Sequence, residues 1–124
     1  MAGAMEYEIS LGSVAPAAAI GDRLIAELAG QGVGAEVGPD GAILVKAVSV
    51  ASLTAVASLL FRSTEKGLVL DAAGAAKARI EVAADLPGGS LRILRQRGEP
   101  QTREGLTAQQ VGYVMRTALA AMEV

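Results

Sequence analysis

Gly30-Gln31-Gly32-Val33-Gly34-Ala35 has the G-x-G-x-x-A spacing with which dinucleotide-binding turns bring backbone amides to a pyrophosphate. That chemistry needs a strand before the glycines and a helix after them. Here the glycines follow an apolar repeat of helical period, so a helix stop is expected. Gly88-Gly89-Ser90, with Arg92 close by, could offer amides to an anion, but neither a following helix nor a Gly-Lys-Ser/Thr pattern accompanies it, and a loop between strands is expected. Glu6 and Glu8 share one side of an alternating segment, the spacing of paired carboxylates or hard-metal ligands. Calcium would want further oxygen ligands at dictated spacing, so two acids on a wet sheet face are expected. Lys46 and Ser49 reverse the S-x-x-K order of a serine-lysine dyad, and Ser49 is explained by helix capping.

The residue types that are missing narrow the chemistry further. The 124-residue chain has no cysteine, histidine or tryptophan, which excludes disulfide scaffolds, thiolate or imidazole metal sites, cysteine nucleophiles and histidine acid-base schemes. No catalytic residue, cofactor or metal is expected. The net charge of −2 opposes general nucleic-acid binding, which needs a basic excess to displace counterions. The charge is uneven: residues 1–76 carry four basic against eight acidic side chains, and residues 77–103 carry six basic against three acidic. Arg92, Arg95, Arg97 and Arg103 dominate this second segment. With only Tyr7, Tyr113 and one phenylalanine there is no aromatic platform for stacking bases, so these arginines read first as a solvated face, next as a match for an acidic protein surface, and last as a nucleic-acid contact.

A mean hydropathy of +0.41 and 52% apolar residues predict one folded α+β domain over 1–124. Its amino terminus, Met-Ala-Gly-Ala-Met-Glu, has no basic and apolar leader pattern, and a cytoplasmic location is expected. Ala42 to Phe61 is long enough to span a bilayer with Lys46 as its one charge, yet a turn opens it and Ser49, Ser52, Thr54 and Ser58 punctuate it. A strand and a buried helix are expected there, with no membrane partner. Eight arginines against three lysines match GC-rich bacterial coding.

Glu6 to Leu11 alternates as a half-buried strand. Ser13, Pro16 and the series Ala17, Ile20, Leu24, Leu28 predict a helix over about 14–29. Val33 to Val37 and Ala42 to Lys46 flank Gly38-Pro39-Asp40-Gly41 as a hairpin. Ser49 caps a helix over about 50–63 whose apolar side is broad. No charge occurs from Ala47 to Phe61, so its other side, with Ala51, Thr54, Ala55, Ser58 and Arg62, should be covered by a helix or another subunit. Leu68-Val69-Leu70 reads as a buried strand. After a hinge at Asp71 to Ala76, Lys77 to Ala84 and Ser90 to Arg97 predict a second hairpin around Asp85-Leu86-Pro87-Gly88-Gly89. Arg97 to Gly105 reads as a surface loop. Thr107 with Gln110 as capping box and Leu106 with Val111 as hydrophobic staple start a helix over about 108–122.

The expected fold is a two-layer α+β sandwich with about six strands. Its ferredoxin-like βαββαβ core occupies about residues 5–71, extended by a β-hairpin and a C-terminal helix, with the helices mainly on one sheet face. The strand and helix order resembles that of ACT-type regulatory domains, and that resemblance implies a small-molecule-binding regulatory domain acting at a subunit boundary. From the residues themselves, the expected function is a non-enzymatic protein-protein interaction or assembly module, a homo-oligomer or a small partner subunit of a bacterial complex. Its expected surface combines Ala51, Ala55, Ser58 and Arg62 with Arg92, Arg95, Arg97 and Arg103. A small-molecule ligand stays open, and an enzyme of unrecognised type is the third alternative.

Overall fold

The computed structural model describes residues 7–11, 17–38, 41–46, 49–72, 78–95 and 98–121. The expectations placed on Glu6, Ser13, Pro16, Pro39, Asp40, Lys77, Arg97 and Met122 lie outside the described residues. The elements run β1 (Tyr7–Ser10), α1 (Ala17–Gly30), β2 (Ala35–Val37), β3 (Ile43–Val45), α2 (Val50–Thr64), β4 (Lys66–Ala72), β5 (Ala78–Pro87), β6 (Leu91–Arg95), β7 (Gln101–Arg103) and α3 (Ala108–Ala121). The fold is α+β, with one seven-stranded mixed sheet in the order β2-β3-β1-β5-β4-β6-β7.

Alternation decides which sheet face is covered. Tyr7 and Ile9 lie in register with Val45 and Ile43 on one side and with Ala78 and Ile80 on the other, and Leu70 faces Ile80 and Ile93. These side chains are all buried, and they form one core with Leu24 and Leu28 of α1, Leu53, Val56 and Leu60 of α2, and Val111, Met115 and Leu119 of α3. The three helices therefore cover a single face, with α2 packed against both α1 and α3. α2 buries Ser52, Leu53, Ala55, Val56, Ala57, Leu59 and Leu60 against the sheet and its neighbouring helices, but the cover expected over its other side is incomplete, because Ala51 and Arg62 are exposed.

The helix ends follow their local chemistry. Gly32 takes φ +77, its N–H donates to the Ala29 carbonyl, and the Val33 N–H returns to the Leu28 carbonyl at 2.8 Å, so the Gly30-Gln31-Gly32 pattern closes α1 rather than opening a nucleotide site. Ser49 caps α2 through a reciprocal box with Ser52, and Thr107 caps α3 through one with Gln110. Glu65 ends α2 in the left-handed conformation at φ 56.

Three topological expectations change. The β2-β3-β1 order is that of a split βαβ unit, but β5 lies between β1 and β4, so the β4–β1 pairing of a closed βαββαβ sheet is not made and the observed sheet is more elaborate. β5 and β6 are not a hairpin either: β4 lies between them, antiparallel to β5 and parallel to β6. Gly67 makes this crossing sterically feasible, because a Cβ there would lie 2.6 Å from Leu86 Cβ and 2.9 Å from the Ser90 carbonyl oxygen of the connection passing over it. Finally, the segment read as a loop contains β7, antiparallel to β6. Its three residues are exposed and have no apolar alternation, so backbone pairing alone makes it a strand.

The open face carries the charge pairing that its alternation implies. Glu8 lies in register with Arg79, and the carboxylate is 3.4 Å from the guanidinium, which also lies 3.8 Å from Glu81. Arg79→Glu is expected to lower stability by about 0.2 to 1 kcal/mol at low salt, and Glu8→Arg in the same chain to recover part of it. Thermal melts of both singles and the double at two ionic strengths measure this coupling; a double equal to the sum of the singles would remove it.

Candidate interaction surfaces

Several of the chemical candidates take structural roles. Ser49 caps α2, while Lys46 turns to Glu36 at 3.3 Å, so no lysine-serine dyad forms. The amide of Gly88 donates to the Glu65 carbonyl and that of Ser90 to the Pro87 carbonyl, and Arg92 binds Asp85 at 2.8 Å, so these two amides and the guanidinium are already bonded at this turn. The guanidinium holds the exposed Asp85 carboxyl below its usual range. Among the described residues no cluster of three acidic side chains could hold a metal.

Tyr7 is fully buried, and its hydroxyl donates to Ser52 Oγ at 3.4 Å. Ser52 Oγ in turn accepts from the Ser49 N–H and donates to the Ser49 carbonyl. The network therefore ties β1 to the cap of α2. Burial pushes the Tyr7 phenol up to about 12, with the Ser52 hydrogen bond opposing it. The folded state thus favours the neutral phenol. Its stabilisation is complete below the ordinary tyrosine range near 10 and is lost as pH rises toward 12. Tyr7→Phe is expected to make the melting temperature less dependent on pH across this interval, as a pH series of melts would show; an unchanged slope would contradict it.

The expected surface divides into separate regions. Ala51 is exposed, Ala55 is buried, Ser58 is half-buried, and Arg62 holds Glu27 at 3.3 Å across the α1–α2 contact. All four belong to the helical layer. Arg92 instead lies in the open-face register of the sheet, and Arg95 and Arg103 align with buried Ala72 and Leu91 on the helix-side register. The described arginines therefore do not form one patch, because successive strand residues alternate faces.

The α2 residues do come together. Val50, Ala51, Thr54, Ala55 and Ser58 floor an open groove of about 830 Å³, with Glu27 of α1 and Gln31 of the turn after it on one rim and Gln109 from α3 on the other. A close helix contact sets its depth: Gly112 packs against Thr54, with space for no side chain between the two backbones. The sequence reading placed Thr54 on this side of the helix but missed both rims. The three- and four-residue spacing of Ala51, Thr54, Ala55 and Ser58 does predict one shared helix stripe, but which rims enclose it depends on packing.

The chain matches no protein-family model, no curated protein and no solved structure. The groove and the sheet therefore carry the functional argument by themselves. No helix among the described residues is long and apolar enough to cross a membrane.

Proposed function

We propose that this chain is a protein-protein interaction or assembly module that docks a partner segment along the α2 groove. The observation that carries the reading is the floor of Ala51, Thr54, Ala55 and Ser58, small uncharged side chains set between two helical rims. Small floor residues let a partner helix approach the α2 backbone closely, and the polar rim of Gln31 and Gln109 can bond to it without burying an unpaired charge. Glu27, the acid at the rim, already has its counterion in Arg62.

The open form of the groove favours an elongated polypeptide over an enclosed metabolite, because small-molecule sites bury most of their ligand's surface. The split βαβ order of β2, β3 and β1 supports a distant kinship with ferredoxin-like domains. A bacterial cytoplasmic setting fits the arginine-rich, cysteine-free composition.

The test places a photo-cross-linking residue at Ala51, at Ser58 and, outside the groove, at exposed Arg23. Ala51 and Ser58 are expected to capture the same defined polypeptide in the source cell, and adding Ala51→Arg to the Ser58 probe is expected to abolish capture while the isolated protein keeps its helical spectrum, because Ala51 is exposed. Equal capture from Arg23, or capture at Ser58 unaffected by Ala51→Arg, would overturn the groove as the docking site.

A further inference from the structure

The sheet face away from the helices carries a charge pattern that matches itself. β5 is the middle strand of the seven and bears Arg79 and Glu81 on this face. Asp71 and Val69 of β4 lie in register with Arg79 and Glu81, and so do Glu8 and Ser10 of β1. Leu44, Val69 and Leu94 are half-buried and lie outside the core cluster, although the chain has ample core positions for aliphatic side chains.

We infer that this face packs against the same face of a second copy, through reciprocal Arg79–Glu81 pairs across a two-fold axis. Two sheets meeting face to face can be related by a half-turn about a line between them. With that line perpendicular to β5 at the level of Ile80, Arg79 lies opposite Glu81 of the partner subunit, and Glu81 lies opposite Arg79 of the partner subunit. The same operation sets Asp71 opposite the partner's Val69, Glu8 opposite the partner's Ser10 and Leu94 opposite the partner's Arg92. It brings no two like charges into direct opposition. Turning about a line along β5 instead would set Arg79 against the partner's Arg79 and Glu81 against the partner's Glu81, so electrostatics selects one orientation. The aliphatic stem of Arg92 can cover the partner's Leu94 while its head stays with Asp85. This contact uses the layer opposite the α2 groove and leaves that groove free.

The pattern also prescribes its test. Arg79→Glu leaves two carboxylates at the central positions, and Glu81→Arg leaves two guanidinium groups. Each variant by itself should repel its own copy. Mixed together, they restore both opposite-charge pairs. In sedimentation from about 1 to about 100 µM, the wild-type chain is expected to dimerise, and added salt should weaken the dimer. Each single variant should associate about tenfold or more weakly, and the equimolar mixture should form a heterodimer at least as tight as wild type. Circular dichroism of each variant confirms that it is folded. A wild-type monomer throughout the range, or a mixture no more associated than its components, would overturn the inference. So would a dimer lost on Ala51→Arg but indifferent to Arg79→Glu; that result would move self-association to the helical layer, whereas failure of groove cross-linking alone would leave this interface standing.

Discussion

Leu53→Asp is expected to abolish the cooperative fold. Leu53 is fully buried in the core beneath α2, among side chains from the sheet and the helices. The substitution removes the apolar burial of a leucine, worth about 2 to 5 kcal/mol when truncated in a core, and then demands that a carboxylate be either desolvated or protonated there. Together these costs match the whole stability of a typical domain, about 5 to 15 kcal/mol. Circular dichroism should show no sigmoidal melt, and chemical denaturation no folded baseline at neutral pH. A cooperative melt within a few degrees of wild type would contradict the burial of this helix face. Leu53→Met offers the volume-conserving control and should cost less than about 1.5 kcal/mol.

Gly112→Ala should have the next largest effect, although it adds a single methyl group to a helix in which alanine has the higher intrinsic propensity. A Cβ at this position would collide with Thr54 Oγ1 and lie 2.8 Å from the Thr54 backbone nitrogen and 3.0 Å from its Cα. The backbone atoms cannot turn aside as a flexible side chain could, so α3 must move away from α2. Overpacking of this kind costs about 1 to 3 kcal/mol, against a propensity gain of about 1 kcal/mol, and the steric cost is expected to dominate at this distance. The melting temperature should fall by several degrees. Thr54→Ala in the same chain removes the hydroxyl contact but leaves the backbone approach, so it should recover only part of the loss. Because Thr54 floors the α2 groove, Gly112→Ala should also weaken partner cross-linking from Ala51. An unchanged or raised melting temperature would show that α3 has room to shift.

The two glycines show how far single residues reach in this fold. By residue type alone Gly67 weakens a strand and Gly112 a helix, and no local signal separates them from glycines in turns. Their reason lies in chains far away in sequence: the connection at Leu86 to Ser90 in one case and Thr54 of α2 in the other.

What local chemistry governs was legible in the amino-acid sequence. The alternation of Tyr7, Ile9 and Leu11, the cap at Ser49, the capping box at Thr107, the glycine stop after Leu28 and the charge-free run of α2 each depend on residues within a few positions of one another, and each appears in the structure. Glu8 and Arg79 were identifiable as opposite charges on wet strand faces, because alternation assigns a face without knowing the neighbour. Strand order was not legible in the same way. An apolar strand such as Leu68-Val69-Leu70 satisfies the core equally well beside β1 or one place further out. The choice rests on loop closure and on where a Cβ-free residue permits a crossing. Tertiary packing alone therefore put β5 between β1 and β4, turned the expected β5–β6 hairpin into a crossing over Gly67, and paired the exposed β7 with β6. It also divided the expected surface, placing Ala51, Ala55 and Ser58 in a helical groove while Arg92 went to the opposite layer. Face assignment along a strand is a local property of period two, but the grouping of faces into a site is set by which strands and helices become neighbours.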